Sequence, residues 1–151
     1  MQPVLHRALP LALLLTACSS GTPDVAVRDA WAGATVPGQR SGAVYLTLDN
    51  RGSGGDRLIG VASDVAAGAS LHRSSMESGI ARMRPIADGV AVEAGEQAML
   101  KPGADHVMLT GLEQPLVAGR SIPLRLRFER SGERQVSAVV RAADGAGHGR
   151  H

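Results

Sequence analysis

From Val25 onward, apolar residues recur at every second position in short runs broken by Gly, Pro, Asn and Ser. That is the pattern of strands with one face buried. Val25 to Trp31 reads as a first strand. Gly42 to Leu48 follows, with Val44, Leu46 and Leu48 on one face; Asn50-Arg51-Gly52-Ser53-Gly54-Gly55 then forces a turn, and Arg57 to Ser63 is the next strand. Val90 to Glu93 and Gln97 to Lys101 flank Ala94-Gly95-Glu96 as a predicted hairpin, and Lys101-Pro102-Gly103-Ala104 has the composition of a tight turn. In Ser121 to Glu129 the residues Ile122, Leu124, Leu126 and Phe128 alternate with Pro123, Arg125 and Arg127; Ser131-Gly132 turns the chain and Gln135 to Arg141 returns. No window carries a helical stripe, and no internal repeat is visible. Roughly eight to ten short strands without helices predict an all-β antiparallel sandwich or barrel.

The chain's 151 residues, 44% of them hydrophobic, suffice for one domain that holds its core without disulfides or a structural metal. The only aromatics are Trp31, Tyr45 and Phe128, so the core must come from Val, Leu, Ile and Ala. The net charge of +2 is spread over interleaved Arg, Asp and Glu. With no basic run and no aromatic ladder, nucleic-acid binding has no support.

Residues 1–17 read as an export signal. Arg7 supplies the positive start, Ala8 to Leu15 an apolar run too short to span a bilayer, and Leu15-Thr16-Ala17-Cys18 resembles the lipobox of bacterial lipoproteins. In that reading Cys18 is lipidated and becomes the mature N-terminus, and 18–24 are the lipidated Cys and a tether. The alternative is a secretory peptide cut after Ala17, leaving a free thiol. Both place the 25–143 domain outside the cytoplasm, in the periplasm or cell envelope. Residues 144–151, Gly-rich and ending in His151, read as a flexible tail.

Candidate chemistry concentrates between Leu71 and Met108, which hold two of the five histidines and four of the five methionines. If Ser78 and Gly79 form a two-residue hairpin loop, Met76 pairs with Ala81 and Ser74 with Met83. His72, Ser74, Met76 and Met83 then share one face, with His72 and Met83 as diagonal neighbours roughly 7 Å apart. His106 and Met108, two apart on another strand, also share a face. Two imidazoles and two thioethers, with no thiol, suit Cu(I). Met76 near the hairpin tip is an additional candidate, and Met99 reads as core. Each half also has a bland reading, since strand methionines usually pack.

The order His72, ten residues, Met83, then His106-Val107-Met108 resembles the His-X10-Met-X21-His-X-Met signature of the periplasmic copper chaperones called PCuAC. Asp29-Ala30-Trp31-Ala32, Gly42 to Leu48, Met83-Arg84-Pro85, Leu100 to Gly103 and Leu109 to Leu112 resemble that family too. The second gap departs from it, holding 22 residues, Arg84 to Asp105. The resemblance implies a cupredoxin-like, Greek-key β-sandwich that binds one Cu(I) through His72, Met83, His106 and Met108. It also implies delivery to the copper A site of cytochrome c oxidase subunit II, alongside Sco-type proteins. Members often carry a His- and Met-rich tail for Cu(II), of which only His148 and His151 are present here. Neutral ligands favour handing Cu(I) to a thiolate site, and binding should weaken as pH falls through the histidine range. A blue-copper carrier would need a strand cysteine, and no activated nucleophile marks an enzyme. The remaining rivals are a metal-free envelope interaction module and a general copper store or scavenger. The expected state is a monomer held to the membrane by its lipid.

Overall fold

The computed structural model describes residues 21–142. Cys18, the export signal expected over residues 1–17, and the expected tail with His148 and His151 lie outside the described residues. Ten strands and no helix occur among the described residues. In chain order they are β1 (Val25–Gly33), β2 (Ser41–Asn50), β3 (Asp56–Ala62), β4 (Ala66–Glu77) and β5 (Ile80–Pro85). The second half holds β6 (Val90–Val92), β7 (Gln97–Leu100), β8 (Asp105–Leu112), β9 (Ser121–Phe128) and β10 (Gly132–Arg141).

The strands run β5-β4-β8-β2-β1-β10-β9-β3-β6, with β7 also on β2. Every pairing is antiparallel except β1 with β10. The sheet folds over so that Val44, Leu46, Leu48, Val107 and Leu109 from one half meet Leu58, Leu124, Leu126 and Phe128 from the other in one core. Each such side chain contributes about 1.5–3 kcal/mol by leaving water. The predicted alternation in β2 and β9 is thus an inward-facing row on each strand. Trp31 and Tyr45 stay outside that core, on the outer face.

Two expectations are corrected. β6 and β7 do not form a hairpin: β6 pairs with β3 and β7 with β2. The turn between them, closed by the Glu96 N–H on the Glu93 carbonyl at 3.1 Å, carries the chain from one half of the sandwich to the other. Strands of three and four residues satisfy more backbone groups against the long β2 and β3 than against each other. Met99 is also not core; the alternation that buries Leu100 turns Met99 outward, 55% exposed, opposite Thr47.

A β-bulge sets the outer face. Between Arg28↔Thr47 and Trp31↔Tyr45, β1 uses one residue more than β2, and Asp29 takes a left-handed conformation (φ 50°). Val25 and Val27 point inward before the bulge and Ala32 after it, so the extra residue turns Trp31 out against Tyr45.

Two buried polar side chains clasp the loops. Asn50 accepts the Asp24 and Gly52 N–H groups and donates to the carbonyls of Gly54 and Val92. Asp56 accepts the backbone N–H groups of Arg57, Arg130 and Ser131 and the Ser131 hydroxyl. Burial alone would raise the Asp56 pKa, but the Ser131 hydroxyl and the three N–H donors together hold it below the ordinary carboxylate range. A depressed folded-state pKa stabilises the fold above the unfolded value, about 3.9, and that contribution is lost as pH falls through the folded value. Asp56→Asn is expected to cost about 2 kcal/mol in urea unfolding at neutral pH. The gap from wild type should narrow as the pH is lowered through the carboxylate range.

Candidate metal centre

β8 lies between β4 and β2, and its register places the donors. Leu71↔Val107 and Ala69↔Leu109 point to the core, so His72↔His106 and Ser70↔Met108 stand on the opposite, outer face. The β4–β5 hairpin turns at Ser78-Gly79, both at positive φ (51° and 77°), the backbone of a type I′ loop. Its pairs are those the two-residue loop predicts: Met76↔Ala81, Ser74↔Met83 and His72↔Pro85. His72, Met83, His106 and Met108 therefore share one face of three adjacent strands.

The register brings His72, His106 and Met108 together. The two imidazole centres are 6.0 Å apart. An imidazole nitrogen sits about 1.2 Å from its ring centre and a metal–imidazole bond is about 2.0 Å, so two rings sharing one ion have centres up to about 6.4 Å apart. Met83 is a diagonal neighbour of His72, on the side of the histidine row away from Met108, and is 49% exposed on the edge strand. Met76, a further pair toward the hairpin tip, is 70% exposed.

The ring nitrogens are held differently. His106 is only 4% exposed, and its Nδ1–H donates to the Ala104 carbonyl at 3.1 Å, which leaves the Nε2 lone pair available. The same carbonyl accepts the Ser74 N–H at 3.1 Å. It is aimed by the turn Lys101-Pro102-Gly103-Ala104, closed by the Ala104 N–H on the Lys101 carbonyl, with Gly103 at φ 79°. His72 contacts the Ser70 hydroxyl through Nε2 at 3.0 Å, and its buried Nδ1 has no hydrogen-bond partner. A buried nitrogen without a partner costs free energy unless something binds it.

The outer face continues as a row across the sheet. Tyr45 lies 6.3 Å from His106, Trp31 lies 4.6 Å from Tyr45, and the Arg141 guanidinium sits 4.9 Å over the Trp31 ring. This row covers His106 from the β2 side, and burial pushes the Tyr45 phenol's pKa up, so it stays neutral. Sequence reasoning missed Ser70 and Ala104. The parity that groups Ser74 with His72 also puts Ser70 on that face, so Ser70 was findable; the Ala104 carbonyl was not.

Fold and donor face together define a cupredoxin-like domain of the PCuAC type. A copper-bound PCuAC domain of PmoF2 superposes with a TM-score of 0.66 at 24% identity, over 78% of this chain and 92% of that one. The solution structure of CuI-DR1885 from Deinococcus radiodurans gives 0.63 at 28% identity, over 83% of each chain. The profile of the family described as "Putative lipoprotein LpqE-like" matches residues 25–140. A curated relative, "Putative lipoprotein Lxx21020" of Leifsonia xyli subsp. xyli, is 34% identical over 122 residues, 81% of this chain and 72% of that protein. The chain belongs to the LpqE-like family.

Gly103→Val, which forces a β-branched residue into positive φ, is expected to cost about 1–2 kcal/mol. It should also loosen the Ala104 carbonyl, read by NMR as faster exchange of the His106 Nδ1 proton with the fold retained.

Proposed function

We propose that this protein is an exported copper chaperone that carries one Cu(I) between His72, His106, Met108 and Met83. The observation that carries the reading is the direct pairing of His72 with His106, each presenting one uncommitted nitrogen on a face that also holds Met108. His106 would ligate through Nε2 and His72 through Nδ1, with Nε2–H then donating to Ser70. Met83 would close the set as the hairpin curls toward the histidine row. Its exposure makes it the ligand an acceptor can displace, while His106 stays shielded. Neutral nitrogen and thioether donors bind Cu(I) without a charge bond, so an acceptor with thiolates draws the ion onward.

The copper-bound structural relatives and the lipoprotein relatives support a copper-carrying, membrane-held role. In the finer reading Cys18 is lipidated after removal of residues 1–17, and the monomeric 25–143 domain delivers Cu(I) to the copper A centre of cytochrome c oxidase, with Sco-type proteins. His148 and His151 would add a Cu(II) site at the tail. The role is transport, with no bond-making chemistry of its own.

The test is titration with Cu(I) under reducing conditions against a chromophoric chelator, with Trp31 fluorescence as a second readout through Tyr45. Wild type should bind one ion. Ser70→Ala should lose about tenfold in affinity, with His106→Ala and Met83→Ala losing more. No uptake by the wild type would leave a metal-free envelope module, and uptake unchanged in His106→Ala would overturn the ligand assignment. Uptake without transfer to a soluble copper A domain would leave a store. Oxidising the methionines to sulfoxides is expected to abolish Cu(I) uptake while the far-ultraviolet spectrum of the sheet is retained.

A further inference from the structure

The β4–β5 hairpin has two faces of different chemistry and a free edge. Every residue of β5 is exposed, and β5 pairs only with β4 among the described residues, so half its backbone N–H and C=O groups face outward unpaired. One face of the hairpin carries Met76 and Met83 with His72. The other carries Ile80, Arg82 and Arg84, opposite Glu77, Ser75 and Arg73.

The charges on that second face do not balance. Arg73 is committed to Asp105 by two hydrogen bonds, 2.7 and 2.9 Å. Arg82 and Arg84 share the single carboxylate of Glu77, at 3.1 and 3.2 Å. The free edge is therefore flanked by one uncompensated positive charge. A second copy added edge to edge would bring two such faces together, and like charge opposes it.

We propose that β5 is the docking edge for a copper acceptor, which adds an extended, acidic segment as a further strand beside Ile80–Pro85. Strand addition draws affinity from the backbone ladder and specificity from alternate side chains. The added strand's residues on the arginine face are acidic and meet Arg82 and Arg84. Those between them emerge on the other face beside Met83, where the acceptor's soft ligands must arrive for copper to change hands. The inference deepens the chaperone reading, yet the docking itself needs no metal.

The probe is a capped hexapeptide alternating aspartate and norleucine, added to the metal-free 15N-labelled protein, so that copper ligation plays no part. Binding is expected to shift and to slow exchange of alternate amides between Ile80 and Arg84. It should weaken with salt, and fall about tenfold or more in the double variant Arg82→Glu, Arg84→Glu. A peptide with alternate amides N-methylated should lose binding, as should one with lysine in place of aspartate. Equal binding by the N-methylated peptide, shifts confined to His72 and His106, or concentration-dependent dimerisation that excludes the peptide would each overturn the proposal. Failure here with normal Cu(I) uptake removes only the docking edge; docking with no Cu(I) uptake removes only the chaperone reading.

Discussion

The backbone ladder between β4 and β8 is the constraint on which the donor face rests. Its register sets His72 against His106 because Leu71 and Val107, one step away, are locked into the core. Slipping β4 by one residue against β8 would turn His72 inward and Leu71 out, so hydrophobic burial enforces the geometry of polar groups on the other side of the sheet. The four donor side chains therefore need not contribute to folding.

Around that ladder, His106 and Met83 stand in different surroundings. His106 is enclosed by β2, by Tyr45 with Trp31 behind it, and by the Ala104 carbonyl that sets its tautomer. Met83 stands on an edge strand with solvent on its far side. In the proposed role a carrier has to hold its ion and also surrender it, and the two requirements would fall on different elements: a central strand with neighbours on both sides, and a hairpin with one.

The loops far from this face are tied by Asn50 and Asp56, whose hydrogen-bonding capacity is met inside the protein. Both sit at strand ends where the sandwich changes direction, and both convert irregular backbone into fixed attachment points. The β1 bulge belongs to the same class of device. One inserted residue at Asp29 turns Trp31 from the inner to the outer face and so supplies the cover over Tyr45 and His106.

Much of this was legible along the chain, because alternation of apolar residues is a local property and strands in a sandwich keep it. The hairpin pairing of Ser74 with Met83 followed from the two residues between its arms, and the common face of His106 and Met108 from their spacing. Residue type already suggested these two pieces as one Cu(I) donor set, and the family resemblance implied the same four residues. Neither spacing nor resemblance reached the partition of β6 and β7 between two neighbours, the outward turn of Met99, or the nitrogen each histidine leaves open. Those depend on which strand lies beside which, and on a carbonyl oxygen aimed by a turn. Residue type and spacing encode what a strand offers on each face; only packing of the whole sheet decides what each face meets.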